Sequence, residues 1–192
     1  TYDRTQIVYA SNAAQTPSET TWELYIMDAD GTDVEKITEQ SPSWAIAPAC
    51  SPVNGDVVFV SDEDSSGNSS VWILPEGGTA DEIYDPGAGE WAGDASPSFA
   101  MASVDLSLPT GAGISRPAWS PDGALIVISV SDGGQTDLWV IDPYGTYAET
   151  LEDYVLDEYD VTSTNINTAD NEFCPYWLED NSGIAFVSDR DG

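Results

Sequence analysis

The chain has 192 residues and a mass of 20.5 kDa, 41% of it apolar and 10% aromatic, enough for the core of one domain. Four basic residues (Arg4, Lys36, Arg116, Arg190) stand against 35 acidic ones, a net charge of −31, which excludes nucleic acid and anionic lipid as partners. The absence of histidine excludes Ser-His-Asp and Cys-His nucleophiles, histidine-ligated metals and histidine proton shuttles.

On a surface of roughly 9,000 Å², this is about one net negative charge per 280 Å². Such a field repels itself strongly at about 0.15 M salt, where the Debye length is roughly 8 Å, and far less at 1 M, where it is about 3 Å. Scarce Lys beside abundant Asp resembles proteins of extreme halophiles; an acidic secreted protein charged for solubility or calcium is the other reading. Seven Trp and nine Tyr argue against disorder. No apolar run long enough to span a bilayer and no basic-then-apolar leader is present, so no membrane insertion is expected. The missing initiator Met agrees with a mature or trimmed chain.

The predicted elements are short strands that recur. The first unit holds residues 7–12 (IVYASN), 23–31 (ELYIMDADG) and 34–38 (VEKIT). The second holds 48–52 (PACSP), 57–62 (VVFVSD), 70–78 (SVWILPEGG) and 81–84 (DEIY). Residues 86–115, with Trp91, Phe99 and Met101, lengthen the connection to a third unit of 117–123 (PAWSPDG), 126–132 (IVISVSD), 137–145 (DLWVIDPYG) and 148–151 (AETL). After a second long connection, 153–172 with Tyr154 and Tyr159, a fourth unit opens with 175–177 (PYW) and 184–189 (IAFVSD). Tyr25, Trp72 and Trp139 hold one place in the repeat, and Cys50, Trp119 and Trp177 another, each seven residues before an apolar run. Each element is rich in Val, Ile, Tyr and Trp and bounded by Gly, Pro, Asp, Asn or Ser, the signature of strands and turns.

Four antiparallel strands per unit of about 45 residues predict the blade of a β-propeller. The string P-x-W-S-P-D-G, I-x-x-x-S-D, D-L-W-V-I-D-x-x-G resembles the TolB-like propeller repeat, also found in Tricorn-type and prolyl oligopeptidase-type propellers. The fold class expected is therefore all-β, a propeller of four-stranded blades, two complete and two partial, in one domain over 1–192. The segments are about 1–39, 45–85, 115–152 and 173–192. Neither terminal unit is complete. The chain is then a piece of a longer propeller, or its ends pack together into a small ring, or the terminal strands complement another copy in an oligomer or filament.

The acidic turns are the candidate metal sites. Asp28, Asp30 and Asp33 surround a Gly turn like the first half of a calcium loop, with Glu39 at the twelfth position; the same residues also make an ordinary tight turn. Asp62 and Asp189 close the apolar runs, as Asp132 and Asn12 do, and Asp64 and Asp191 add a second carboxylate two residues on. In a ring these would share one face, where calcium is the cofactor to expect, or each is a hydrated turn residue. Cys50 and Cys174 are free thiols or a disulfide across inner strands. The 35 acids offer no distinctive pair for glycosidase chemistry. Peptidases with TolB-like propellers carry their triad in a separate domain, and lyases of the resembling group use histidines that this chain lacks. The expected function is a non-catalytic extracellular, cell-surface or periplasmic module that binds a protein partner or copies of itself. A filament subunit and the gating or docking propeller of a larger peptidase-like enzyme are the alternatives.

Overall fold

The computed structural model describes residues 5–13, 22–38, 44–61, 69–76, 81–84, 113–143, 148–150 and 166–190. Four antiparallel sheets follow the repeat. The first holds β1 (Gln6–Ser11), β2 (Glu23–Asp28) and β3 (Glu35–Lys36). The second holds β4 (Ala45–Cys50), β5 (Val57–Ser61), β6 (Ser70–Leu74) and β7 (Asp81–Tyr84). The third holds β8 (Gly113–Trp119), β9 (Ile126–Asp132), β10 (Gln135–Ile141) and β11 (Ala148–Thr150), and the last β12 (Glu172–Trp177) and β13 (Ile184–Ser188). Strand β8 begins inside the segment read from sequence as an insertion, because Ile114 pairs with Val130 and is buried with it.

The sheets stack face to face in chain order, which explains why the middle strands are apolar without alternation. All five residues of β5 are buried. Val57 and Phe59 pack with Leu24 and Ala45 against the first sheet, while Val58 and Val60 join Ile126, Ile128 and Val130 of the third. In β9 the opposite parity, Val127, packs with Leu138, Val140 and Trp177 against the last sheet. A strand covered on both faces reads as a continuous hydrophobic run, since period-2 alternation then sends apolar groups to two different interfaces. Each fully buried Val, Ile or Phe is worth about 1.5–3 kcal/mol relative to exposure.

The expectation of a β-propeller is corrected here. The fold is all-β, but its four sheets stay separate: none closes into a barrel, and among the described residues the last sheet makes no substantial contact with the first. Ile7 is exposed on the first sheet, and Phe173 and Val187 are exposed on the last, so both outer faces of the stack carry apolar side chains in contact with solvent.

Three features repeat where the sheets meet. The first strands β4, β8 and β12 lie side by side, and each carries a bulge in which two residues oppose one. Ala47 and Pro48 stand between the pairs Ile46–Val60 and Ala49–Val58, Arg116 and Pro117 between Ser115–Ser129 and Ala118–Val127, Cys174 and Pro175 between Phe173–Val187 and Tyr176–Ala185. Proline has no N–H to give a ladder, and the bulge removes the need for one. The residue before each proline is left-handed, with φ of 54° at Ala47, 28° at Arg116 and 53° at Cys174. None is glycine, so each costs on the order of 1–3 kcal/mol that the surrounding pairing must hold in place.

Candidate functional site

The three bulged strands border a cavity of ≈ 740 Å³ that is open to solvent. Its walls are prolines 48, 52, 117, 121 and 175, with Trp119 and Trp177 buried behind them and Tyr176, 63% exposed, at the front. The side chains with charge are Arg116, at the middle bulge, and Glu179. Arg116 is exposed and has no ion-pair partner among the described residues, whereas Lys36 pairs with Glu23 and Arg190 with Glu172, both at 3.0 Å. Cys50 and Cys174 line the same cavity as free thiols, the first half-buried and the second exposed.

Hydrogen bonds hold the walls in place. Trp119 Nε1 donates to the Ala49 carbonyl at 3.0 Å and ties β8 to β4. The equivalent Trp177 is 3% exposed, yet among the described residues its Nε1 has no hydrogen-bond partner. The Ser120-Pro-Asp-Gly123 turn closes one end: Asp122 accepts from Ser120 Oγ at 2.6 Å and the Ala124 N–H at 3.0 Å, and Asn181 Nδ2 reaches it at 2.8 Å from the last sheet. The Ser120 bond first, then those from Ala124 and Asn181, outweigh partial burial and hold the Asp122 carboxyl below its ordinary value. Gly123 has φ of 71°, and a Cβ there would collide with Val53 of the preceding sheet's turn.

At the start of β12, Glu172 is fully buried. It accepts from the Thr168 N–H at 3.1 Å, and from Thr168 Oγ1 at 2.9 Å, Ser188 Oγ at 2.9 Å and Arg190 Nη2 at 3.0 Å. Burial pushes this carboxyl up, but the bonds from Thr168, Ser188 and Arg190 together exceed it, so it lies below the usual value. Asn167 holds the neighbouring segment to β10 by accepting from the Leu138 N–H at 2.9 Å and donating to its carbonyl at 3.0 Å. Nothing in the sequence marks Asn167 or Glu172, which sit in what reads as a long connection.

Of the acidic residues singled out from sequence, the described ones, Asp28, Asp30, Asp33 and Asp189, do not line this cavity. Asp28, Asp30 and Asp33 surround the turn after β2: the Gly31 N–H donates to the Asp28 carbonyl at 2.8 Å, and Asp30 accepts from Thr32 N–H and Oγ1 at 3.0 and 2.7 Å. The side-chain bond from Thr32 lowers the Asp30 carboxyl. Asp189 accepts from the Asn171 side chain and N–H at 2.9 and 2.8 Å, which lowers it likewise. Asp62, Asp64, Asp191 and Glu39 lie outside the described residues, as does the side chain of Asp132. Among the described residues no three His, Cys, Asp or Glu side chains gather as a metal site, and no helix is long and apolar enough to cross a membrane. The cleft itself was hidden from sequence reading, although the three prolines that open it were visible as a repeated motif.

No protein-family model matches the sequence, and no curated protein sequence matches it. Solved structures do resemble it. TolB from Acinetobacter baumannii superposes with a TM-score of 0.62 at 19% identity, over 97% of this chain and 37% of that one. A putative TolB from Agrobacterium tumefaciens gives 0.64 at 15%, over 97% and 51%. An oligogalacturonate lyase from Vibrio parahaemolyticus gives 0.58 at 17%, over 99% and 44%. The chain spans about half or less of each of these proteins, and at such identities the likeness is one of fold: a partial structural similarity to TolB-type proteins.

Proposed function

We propose that the chain is a distant TolB-type, non-catalytic protein-interaction module working outside the cytoplasm, and that it holds an extended segment of a partner protein in the cleft between β4, β8 and β12. The observation that carries this reading is the cleft's composition. The exposed ring of Tyr176 and the accessible prolines 48, 52 and 121 give contact area at little entropic cost and suit a docked peptide. The general acid and base of a hydrolytic or lyase site would have to come from Arg116, Tyr176, Glu179 and two thiols in a chain without histidine, which favours binding over the chemistry of the lyase it resembles. The test is to pan a display library of random dodecapeptides on the 192-residue chain. Enriched peptides should lose binding when Tyr176, on the cleft's front wall, is changed to Lys; enrichment indifferent to that change, or none, refutes the reading.

A second reading, assembly with copies of itself, is favoured by the two uncovered end faces, with Ile7 at one and Phe173 and Val187 at the other. Strand β13 also pairs only with β12 among the described residues, leaving an edge that a further strand fits. Sedimentation at 1 M NaCl tests it: concentration-dependent association abolished by Val187→Glu supports assembly, and a monomer throughout the micromolar range rejects it.

A further inference from the structure

Resting on the cleft reading, we infer that Arg116 is the specificity-determining residue of the cleft and that the docked segment is a peptide bearing a carboxylate at that point. Charge complementarity carries the inference. Arg116 is one of four cations in a chain of net charge −31; the described pairs take up Lys36 and Arg190, and Arg116 stands in the cleft with no ion-pair partner among the described residues. Its backbone lies at φ 28°, and the positions equivalent to it in the flanking strands carry Ala47 and Cys174. The bulge therefore does not need arginine. One conformation is built three times and given a guanidinium only at the central strand. Arg116 lines the cleft together with Pro117 and Pro121, and its exposed fork of N–H donors is suited to a planar carboxylate.

A peptide fits better than an acidic sugar, the other carboxylate source that the lyase likeness brings forward. Sugar hydroxyls demand many donors and acceptors, and the accessible polar side chains lining this cleft amount to Arg116, Tyr176 and Glu179 beside the two thiols, the indoles of Trp119 and Trp177 being buried. Prolines and aromatic rings meet the apolar parts of a peptide without such demands.

The experiment synthesises the peptides enriched on the wild-type chain in two forms: as free acids, and with Asp, Glu and the C-terminus converted to amides. Binding is measured at 1 M NaCl, where long-range repulsion from the acidic surface is damped. Neutralising the carboxylate should weaken binding to the wild type roughly tenfold or more, and less than twofold to Arg116→Ala. Arg116→Lys should restore only part of the preference. The alanine variant keeps the fold, because alanine already occupies the equivalent bulge at position 47. Peptides that bind through Tyr176 with no carboxylate preference overturn the role of Arg116 and leave the cleft reading standing. No binding peptide at all overturns both. Arg116-dependent binding of oligogalacturonate in preference to every peptide overturns the peptide assignment.

Discussion

Replacing Glu172 by Ala should loosen the strand that forms one wall of the cleft, and the cost follows from its contacts. Four donors converge on a carboxylate that is fully buried. Hydrogen bonds to a charged group are worth about 1.5–3 kcal/mol each, but they do not add when the donors can turn to water. Arg190, with 31% of its side chain exposed, and Thr168 near the surface can do so; Ser188 and the Thr168 N–H are the costly ones to strand. A loss of about 3 kcal/mol results, short of the upper range for a fully buried pair. For a chain of this length that corresponds to a fall in Tm of about 6–12 °C, read by circular dichroism at pH 7 and fixed salt. Glu172→Gln, which keeps the shape and removes the charge, should cost roughly half. The pH dependence separates charge from shape. The Glu172 carboxyl lies below its ordinary value in the folded state, so its contribution is complete above the unfolded value and is lost as pH falls through the folded one. The gap between wild type and Glu172→Gln should therefore narrow below about pH 4. A fall under 2 °C at neutral pH, or a gap that stays constant into acid, would refute the account of Glu172 as the anchor of β12.

Other changes test neighbouring parts of the same argument. Gly123→Ala should cost about 1–2 kcal/mol, since φ of 71° disfavours a side chain and its Cβ meets Val53; adding Val53→Ala should recover the steric part alone, as a thermal melt will show. Trp119→Phe should lose about 1 kcal/mol beyond the common cost of shortening the ring, because its Nε1 bond to Ala49 disappears. Trp177→Phe has no such bond to lose and should be the milder variant in urea titrations, despite occupying the equivalent place. Raising NaCl from 0.1 to 2 M should raise Tm as the self-repulsion of 35 acidic residues is screened; an unchanged melt would mean that folding tolerates the charge without salt.

The sheets were legible in the sequence because their strands are covered on both faces. Val57–Ser61 and the run from Ile126 stand out as uninterrupted β-branched segments between turn residues, and the shared step from Cys50, Trp119 and Trp177 to the next strand sets the pairing. Closure was not legible. The same alternation that covers Val127 with Trp177 leaves Val187 facing water, and a repeat reads the same whether or not another sheet lies beyond it. The acidic turns stand out by composition, and in the structure Asp30 and Asp189 accept bonds from Thr32 and Asn171. Composition cannot distinguish a carboxylate satisfied by its own turn from one that awaits a cation.

The cleft shows how a repeat can carry function without disturbing its own architecture. At each bulge the proline fixes the strand's departure from its ladder, and the residue before it is displayed in a left-handed conformation that only the surrounding pairs enforce. The pairs that enforce it, such as Ile46 with Val60 and Ser115 with Ser129, lie outside the displayed position; Arg116 and Cys174 are exposed there, whereas Ala47 is half-buried beside Trp44 and Ile46. Alanine, arginine and cysteine all occupy it. A bulge that recurs three times and accepts three chemistries leaves the displayed residue open to vary, and the charge on Arg116 is the sharpest difference among the three.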